Sequence, residues 1–515
     1  MKRREVSSVP NLLAWLPLAL PVFLKLAVHL PLIERYGYHR DELYFIDCGR
    51  HLALGYVDHA PFVPWIAALS GWLFDHDLAG LRIFSVFAGA AATLLTGLLA
   101  RELGGRGGAQ LLAGFCVVIA PAYLRMGKIL CIPSFELLWW TLAAWLLARR
   151  IRTGDLRLWL PVGAALGLGL LTKHSTLLWG LGLAIGTIAS PLRRDLRTRW
   201  PWMGVAIALL LFFPNVVWQI ENGWPTLEFI RAARQGMLAQ VGRELFLLGQ
   251  LLYMSPFTIP VWGAGLVRLL RHRERDEHVF GWAFVVVLGL LLTTRAKPYY
   301  LAAAYPVLFA SGAVAFEALF ARRRWRWAMP VTITGLGVAA ALAVVVSLPV
   351  MSLERTDRVA QRLFGAIVPA VALTHDLHDE HGWPEQVAQI ARYYKELPAA
   401  DQRIILLAGN YGEASAVHFF GPAHGLPRAY SGHMTHYFWA DGDLDAPRAL
   451  AWGLPRAKLD ELFFDVHEVG RVQHALAMES DVPIYDCRNP KRPLTEAWPD
   501  LRWFGTGLLR MKDEV

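Results

Sequence analysis

Long apolar segments separated by short polar ones dominate the first 350 residues of the chain. A helix needs about 20 residues to cross a bilayer core about 30 Å thick. Where two segments are joined by a very short link, buried or re-entrant helices are the alternative to true spans. Eleven segments are predicted to be transmembrane helices: 11–34, 79–100, 109–124, 132–148, 158–172, 175–191, 201–219, 245–267, 279–294, 299–320 and 327–351.

The basic residues between these segments indicate an orientation. With eleven spans, every arginine cluster falls on one side, and excess Lys and Arg mark the cytoplasmic face. We therefore expect a cytoplasmic N-terminus and an extracytoplasmic region after the last span. The clusters are Lys2, Arg3 and Arg4; Arg101 and Arg106; Arg149, Arg150, Arg152 and Arg157; Arg193, Arg194, Arg197 and Arg199; Arg268, Arg271, Arg273 and Arg275; and Arg322, Arg323, Arg324 and Arg326.

The tail has a different pattern. "QRIILLAGNYGEASAVHFFG" predicts a buried strand, a glycine-containing turn and a helix, and "DVPIYDCRNP" predicts a strand that runs into a turn. "DLHDEHGWPEQVAQIARYYKELPAA" has the apolar face of a helix. Alternation of this kind is typical of a small α/β domain. We expect two domains, a membrane domain over 1–351 and an extracytoplasmic α/β domain over 352–515.

Composition agrees with a polytopic, mainly α-helical membrane protein. The chain of 515 residues is 55% hydrophobic and only 18% charged, against about 25% charged residues in soluble domains. The net charge of +9 resides largely in the loop arginines, so no nucleic-acid partner is expected.

Because no cleavage site follows the first apolar run, we interpret it as an uncleaved helix. The four cysteines, Cys48, Cys116, Cys131 and Cys487, lack CxxC spacing and predict neither a disulfide nor a metal site.

The first outer loop, 35–78, is unusually rich in polar residues. Asp41 and Glu42 are adjacent there, just beyond the first apolar run. Carboxylates at a membrane edge are candidates for function: they can act as a general base or hold a divalent cation. The alternative is a pair of solvated charges neutralised by Arg35 and Arg40.

The same loop continues with "GYVDHAPFVPW", which predicts a rigid turn and then an amphipathic interfacial helix. Asp58 and His59 lie at its start. Together with His39 and His51 they lack the spacing of a zinc site, so a metal is not predicted here.

Basic and aromatic residues recur on the same predicted face, and cations there can clamp a lipid-linked phosphate. Snorkelling of long side chains to the headgroups is the alternative for any one of them. Tyrosines beside a lysine can stack on a sugar or bind a phosphate, although interfaces are rich in tyrosine in any case. These residues are Arg125, Lys128, Lys173, Arg295, Lys297, Tyr299 and Tyr300. In the tail, Tyr411, His418, His433 and His436 are either acceptor contacts or surface residues of a folded domain.

Several segments resemble bacterial members of the dolichyl-phosphate-mannose protein mannosyltransferase superfamily, which are glycosyltransferase family 39 proteins and their aminoarabinose-transferase relatives. The resemblance covers nearly the whole chain. The segments are "RDE" and "GYVDHAPF" in the first loop, then "GLGLLTKHSTLL", "FFPNVVWQIENGWPTLEF", "AKPYYLAAAYPVLFASGA" and "GNYGEASAVHFFGP".

The resemblance implies a GT-C fold, a polyprenyl-phosphate sugar donor and inversion at the anomeric carbon. Asp41 matches the first-loop aspartate of such enzymes and Glu42 its neighbour. Lys297 and Tyr299 fall in the donor-phosphate region, and His59 and Lys173 are weaker additions. Relatives often carry a second acidic residue in the next outer loop, but "GKILCIPSFELLWW" offers Ser134 and Glu136 without an aspartate, which leaves that role open.

The sequence therefore predicts an inverting glycosyltransferase that moves a sugar from a polyprenyl phosphate to a lipid, glycan or protein acceptor. It would act in the cell envelope, on the outer face of the cytoplasmic membrane. A lipid-linked sugar flippase or transporter is the alternative. No cofactor is required by this chemistry, and a divalent cation is possible without a clear site. The predicted catalytic residues are Asp41 and Glu42, and the predicted substrate contacts are Arg40, Asp58, His59, Arg125, Lys128, Lys173, Arg295, Lys297, Tyr299 and Tyr300.

Overall fold

The computed structural model describes residues 15–236, 242–271, 273–325, 327–366, 370–397, 404–440 and 444–505. The start of the first predicted span and the clusters Lys2–Arg4 and Arg326 lie outside these ranges. The helices up to Ser347 are α1 Leu16–His29, α2 Arg40–Arg50, α3 Phe62–Phe74, α4 Leu78–Glu102, α5 Gly107–Ile119, α6 Pro121–Met126, α7 Ile132–Thr153, α8 Trp159–Thr172, α9 Thr176–Ala189, α10 Arg199–Glu221, α11 Pro225–Gln235, α12 Arg243–Tyr253, α13 Ile259–Arg271, α14 His278–Thr293, α15 Tyr305–Phe320 and α16 Ala328–Ser347.

Each predicted span contains helix, but the number of membrane crossings stays a prediction. Among the described residues, four helical stretches can cross a bilayer by length and composition, within Leu78–Glu102, Arg199–Glu221, Pro298–Phe320 and Arg323–Ser347. A bent pair, α12 and α13, makes five if it is one span. Several other apolar helices are shorter than the predicted segments, α8 and α9 among them.

Prolines break two segments that the sequence predicted as continuous spans. In 245–267 the chain bends by 81° between α12 and α13, and Ser255, which precedes Pro256, has φ +69°. In 109–124 the helix is interrupted at Ala120, which is extended before Pro121. The helices are interrupted here because a residue before proline is disfavoured in the α region and the proline ring blocks the preceding helical hydrogen bond.

The helices of the bundle approach one another closely through small residues. A Cβ atom at Gly163 of α8 would lie 2.0 Å from the carbonyl oxygen of Gly204 in α10. One at Gly312 of α15 would lie 1.8 Å from the carbonyl oxygen of Val261 in α13. Such contacts are typical of helix pairs in membranes, where close backbone approach replaces the hydrophobic effect as the source of association.

The first outer loop forms two helices. His39 caps α2: its Nδ1 accepts a hydrogen bond from the Asp41 amide, and the His39 amide donates to Glu42 Oε2 at 2.9 Å. The predicted amphipathic helix is α3, whose Trp72 side chain is 80% exposed. Its position on the membrane surface stays a prediction.

The tail confirms the predicted α/β domain. The strands are β1 Ile404–Ala408, β2 Ala429–Tyr430, β3 Arg448–Trp452, β4 Phe463–Val472 and β5 Val482–Pro490. They form one sheet in the order β2-β1-β3-β5-β4, with β1 parallel to both neighbours and β5 antiparallel to both of its own. The helices are α17 Leu353–Phe364, α18 Ala370–His378, α19 Trp383–Glu396, α20 Tyr411–Phe420, α21 Arg456–Leu462 and α22 Leu494–Ala497.

The tail packs against the first outer loop. Helix α20 begins with a capping box between Asn410 and Glu413 and lies along α2. Arg40 at the start of α2 bonds Asp379 at 2.8 Å and lies 3.3 Å from Glu479. The loop and the tail therefore form the two walls of one polar region. The domain boundary near residue 351 stays a prediction.

Candidate active site

Asp41 and Glu42 occupy the first turn of α2, where the exposed amides of the helix favour negative charge. Successive residues of a helix point in directions about 100° apart, because a turn takes 3.6 residues. The two carboxylates therefore enter different surroundings, and these surroundings determine what each of them can do.

Glu42 lies in a fully buried group of four charges, which we call the buried charge cluster: Glu42, Arg82, Lys128 and Glu380. Arg82 donates to Glu42 Oε1 at 2.9 Å and to Oε2 at 2.8 Å, and it lies 3.1 Å from Glu380. Lys128 forms an ion pair with Glu380. Two acids and two bases balance one another, which is the condition under which charges persist in an interior.

Backbone groups complete the coordination of Glu42. The amide of Leu130 donates to Oε1 at 2.8 Å and that of His39 donates to Oε2. Both carboxylate oxygens thus carry two hydrogen bonds each. Burial opposes the charge of Glu42, but Arg82 outweighs that effect and holds the pKa of this carboxyl below its usual value. This arrangement fits a group that positions α2 rather than one that accepts a proton.

Asp41 has a more open environment. The Tyr411 hydroxyl of α20 donates to Asp41 Oδ1 at 2.8 Å. Oδ2 has no hydrogen-bond partner among the described residues, and the side chain is half-buried. Burial raises the pKa of Tyr411 well above its usual value, and the Asp41 charge adds to this effect. Tyr411 therefore stays protonated and leaves one oxygen of Asp41 available.

Lys173 lies at the end of α8, in an environment of acidic and aromatic groups. Its ammonium is 3.0 Å from Glu136 Oε2 and 3.9 Å from the centre of the Tyr300 ring. The Tyr299 ring centre is 5.4 Å away. Asp41 and Glu136 are both within electrostatic range of the Tyr299 phenol. We call Asp41, Tyr411, Glu136, Lys173, Tyr299 and Tyr300 the Asp41 site.

Asp58 and His59 lie beside this site. The Tyr44 hydroxyl lies 3.0 Å from Asp58 Oδ1 and 2.7 Å from Thr435 Oγ1, and burial raises the pKa of Asp58. His59 is 2% exposed and packs among aromatic rings, the closest of them Tyr56 at 4.9 Å. Because the Tyr44 ring centre lies 4.6 Å from that of Tyr411, Asp58 borders the Asp41 site, whereas His59 supports its wall.

Other predicted substrate contacts are engaged within the protein. Arg40 binds Asp379, and Lys128 belongs to the buried charge cluster. Arg125 bonds the backbone carbonyls of Val346 and Leu373 and lies 3.7 Å from Asp376. These cations join the membrane helices to the tail.

The last two predicted cations lie on the segment before α15. Arg295 is exposed and has a left-handed backbone conformation, with φ +51°. Lys297 is half-buried directly before Pro298. The Lys297 ammonium has no ion pair or hydrogen bond with any described residue, which leaves it available to a ligand anion.

Sequence reasoning missed the partners of the first-loop residues. Arg82 lies inside a predicted span, and an ionisable residue in such a span is a signal that could have been used. Asp379 and Glu380 lie in "DLHDEHGW", which offers no separate signal for pairing with a loop more than 300 residues earlier. Only the tertiary structure brings them to α2.

Comparison with known proteins supports the resemblance found in the sequence. Residues 58–218 match the family model described as dolichyl-phosphate-mannose-protein mannosyltransferase. A search of curated proteins finds no match to the chain. Among solved structures, the apo crystal structure of ArnT from Cupriavidus metallidurans aligns with a TM-score of 0.55 at 18% identity, over 92% of this chain and 97% of ArnT.

The same ArnT bound to undecaprenyl phosphate aligns with a TM-score of 0.53 at 17% identity, again over 92% and 97% of the two chains. At this identity the likeness establishes the fold. The predicted architecture, a GT-C-type helical membrane domain with a small α/β domain at the C-terminus, is therefore confirmed. The chain has the GT-C fold of ArnT and carries the sequence pattern of the dolichyl-phosphate-mannose-protein mannosyltransferase family over residues 58–218.

Proposed function

We propose that the protein is an inverting membrane glycosyltransferase that uses a polyprenyl-phosphate sugar, with Asp41 as the general base. The family match and the ArnT-like fold support a membrane glycosyltransferase. The observation that carries the assignment of the base is the contrast within α2: Asp41 Oδ2 is open, whereas both oxygens of Glu42 are saturated.

The proposed step is a single displacement. An acceptor hydroxyl or amine donates its proton to Asp41 Oδ2 as its oxygen or nitrogen bonds to the anomeric carbon. The bond from that carbon to the phosphate oxygen breaks on the opposite face, and the electron pair leaves with the phosphate. Tyr411 holds the other oxygen of Asp41, so the carboxylate has a fixed direction.

The second requirement of the reaction is that positive groups stabilise the negative charge that develops on the leaving phosphate. Lys173 is fixed between Glu136 and the Tyr300 ring. Lys297 lies two residues before Tyr299 in the sequence and is available to bind an anion. A cation positioned before the reaction stabilises negative charge that develops in the transition state. We assign the donor phosphate to the side of the Asp41 site formed by Lys173, Tyr299 and Tyr300, and Lys297, two residues before Tyr299, is the second cation proposed for it.

The location follows from the predicted topology. The Asp41 site joins Asp41 of the first outer loop and Tyr411 of the tail, both predicted to be outside the cytoplasmic membrane, to residues at the predicted outer ends of the membrane helices. A donor phosphate anchored by its polyprenyl chain would reach it from the lipid. The acceptor would be a lipid, a glycan or a protein.

Transfer by purified protein in nanodiscs tests this proposal. A panel of radiolabelled polyprenyl-phosphate sugars is incubated with a membrane extract as the source of acceptor. We expect one donor to label the extract with wild type and none to do so with Asp41→Asn. Lys395→Gln, an exposed change on α19, serves as the control and should transfer normally.

The transporter alternative predicts a different result. Labelled lipid-linked sugar would cross the bilayer of the proteoliposome without any transfer to acceptor, and Asp41→Asn would have no effect on labelling of the extract. If no donor gives transfer but the lipid-linked sugar is flipped, the protein is a lipid-sugar transporter and the proposed enzyme is excluded. Transfer that survives Asp41→Asn would keep the enzyme and remove Asp41 as its base.

A further inference from the structure

A cluster of possible metal ligands lies outside the Asp41 site, at the other end of the contact between α2 and α20. It consists of Asp47 from α2, His418 from α20 and His436 from the turn Met434–Trp439. One ligand atom from each lies within 4.8 Å of the others. Asp47 and His436 are buried, and the His418 side chain is 8% exposed. The proposed glycosyl transfer uses none of the three.

The hydrogen bonds of His418 determine which atom faces Asp47. Its Nε2 is 2.8 Å from the carbonyl oxygen of Ala429, a contact that requires a proton on Nε2. In a neutral imidazole Nδ1 then carries a lone pair. That lone pair is directed at Asp47 Oδ2, 2.7 Å away. Two lone pairs repel each other at this distance. Either His418 carries a second proton, which makes the contact a charge-assisted hydrogen bond, or the two atoms move apart to the wider spacing of ligands around a metal ion.

His436 makes the metal ion the better answer. Its Nε2 is 3.5 Å from the same Asp47 oxygen. The hydroxyl of Ser415 is 3.0 Å from that nitrogen and is also a hydrogen-bond partner of Asp47. A second proton on His418 accounts for its contact with Asp47, and Ser415 then links His436 to the same carboxylate, whereas a metal ion uses all three groups as ligands.

The three groups also define the class of ion. Two imidazole nitrogens and one carboxylate oxygen are ligands for zinc and related divalent transition metals, whereas calcium and magnesium prefer oxygen alone. A cleft of about 330 Å³ adjoins Asp47 and His418, with room for water as a fourth ligand. Both histidines come from the tail and the aspartate from the first loop.

We propose that Asp47, His418 and His436 bind a divalent transition metal ion of the zinc class, which fastens the tail to helix α2. Asp41 lies on the same helix as Asp47, and Tyr411 lies on the same helix as His418. The ion therefore sets the spacing of α2 and α20 at which Tyr411 meets Asp41. It acts by positioning, and it takes no part in the transfer step.

Metal content of the purified, tag-free protein is the first test. We expect about one equivalent of zinc per chain by mass spectrometry, and Co²⁺ added to chelator-treated protein should give the visible absorption of a tetrahedral site. Asp47→Asn and His436→Gln should lose both signals, whereas His467→Gln on the exposed face of β4 should keep them. Wild type without bound metal and without a cobalt spectrum would overturn the proposal and leave an imidazolium–carboxylate pair only.

His418→Cys separates the two interpretations of the cluster. A thiolate binds zinc or cobalt but cannot replace an imidazolium beside a carboxylate. We expect this variant to bind Co²⁺ with an added sulfur-to-cobalt charge-transfer band and to unfold at a higher temperature with metal than without. A folded variant that binds no cobalt would contradict the metal site. These measurements need no sugar donor, so their outcome is independent of the proposed transfer.

Discussion

The Asp41 site and the buried charge cluster each contain one of two neighbouring residues in the first turn of α2, Asp41 and Glu42. The two carboxylates differ in how many of their oxygens are occupied by hydrogen-bond partners. Glu42 accepts two hydrogen bonds from one charged partner, Arg82, and two from backbone amides, and no oxygen remains for a substrate. Asp41 has one phenol and an open oxygen. The comparison teaches that saturation by neighbours, more than acidity or position in the sequence, separates a structural carboxylate from a reactive one.

The same comparison applies to the cations. Lys128 is 5% exposed and paired with a buried glutamate, whereas Lys173 is 17% exposed and lies over an aromatic ring beside Glu136. The sequence placed both in one group of possible phosphate ligands. In the structure, Lys128 joins the tail to the membrane helices and Lys173 borders the Asp41 site.

The largest effect is expected from breaking the buried charge cluster. Arg82→Leu leaves two buried glutamates with only Lys128 as a partner, and breaking a buried pair costs about 3–5 kcal/mol. We expect most of the protein to aggregate during purification, as measured by fluorescence-detected size exclusion. Arg392→Leu removes an exposed pair on α19 and should change stability by less than about 1 kcal/mol. Equal yields for the two variants would argue against a stabilising cluster.

The next effect concerns the Asp41 site. Lys173→Gln removes a fixed positive charge from the proposed phosphate position, and loss of one such group typically lowers the rate by about 10²–10³. We expect kcat to fall while the protein stays folded, and Lys173→Arg should recover part of the rate. Transfer assays at saturating donor measure this. An unchanged kcat with only a raised KM would place Lys173 in donor binding alone.

A smaller effect is expected for the contact that directs Asp41. Tyr411→Phe removes one hydrogen bond, which is typically a contribution of about 1 kcal/mol, or roughly a five-fold change in rate. Transfer by this variant should fall by that amount without a change in unfolding temperature beyond a few degrees. A loss as large as that of Asp41→Asn would indicate that Tyr411 itself takes part in proton transfer.

The smallest effect concerns the docking of α2 on the tail. Burial opposes the charge of Asp379, but Arg40 and His39 outweigh it and hold the pKa of Asp379 below its usual value. Stability from this pair is therefore fully present above the ordinary aspartate pKa of about 3.9 and is lost as the pH falls below it. Asp379→Asn should lower the unfolding temperature at pH 7, and the difference from wild type should shrink towards pH 3. A difference that is constant with pH would exclude the ion pair as its cause.

The sequence was informative where the signal is local. Apolar segments indicated helices, the glycine turn after Ala408 was recognised between a strand and a helix, and Asp41 and Glu42 were singled out in the polar first loop. The breaks at Pro121 and Pro256 were available in the sequence but were not used.

The pairing of distant charges could not be predicted. Arg82 reaches Glu42 across 40 positions, and Glu380 reaches the same cluster from the tail. Nothing local in "RDE" distinguishes the open carboxylate from the saturated one, because their difference arises from partners that only the folded chain assembles.

The most direct test of the account compares Asp41→Asn and Glu42→Gln in two assays, sugar transfer and thermal unfolding in nanodiscs. Asp41→Asn should unfold within a few degrees of wild type and lose transfer by about 10²–10⁴, the range of a general base. Glu42→Gln should be clearly less stable, by up to about 3 kcal/mol, while its folded fraction retains transfer. The reverse result, a stable Glu42→Gln without transfer beside an active Asp41→Asn, would contradict the assignment of the two carboxylates.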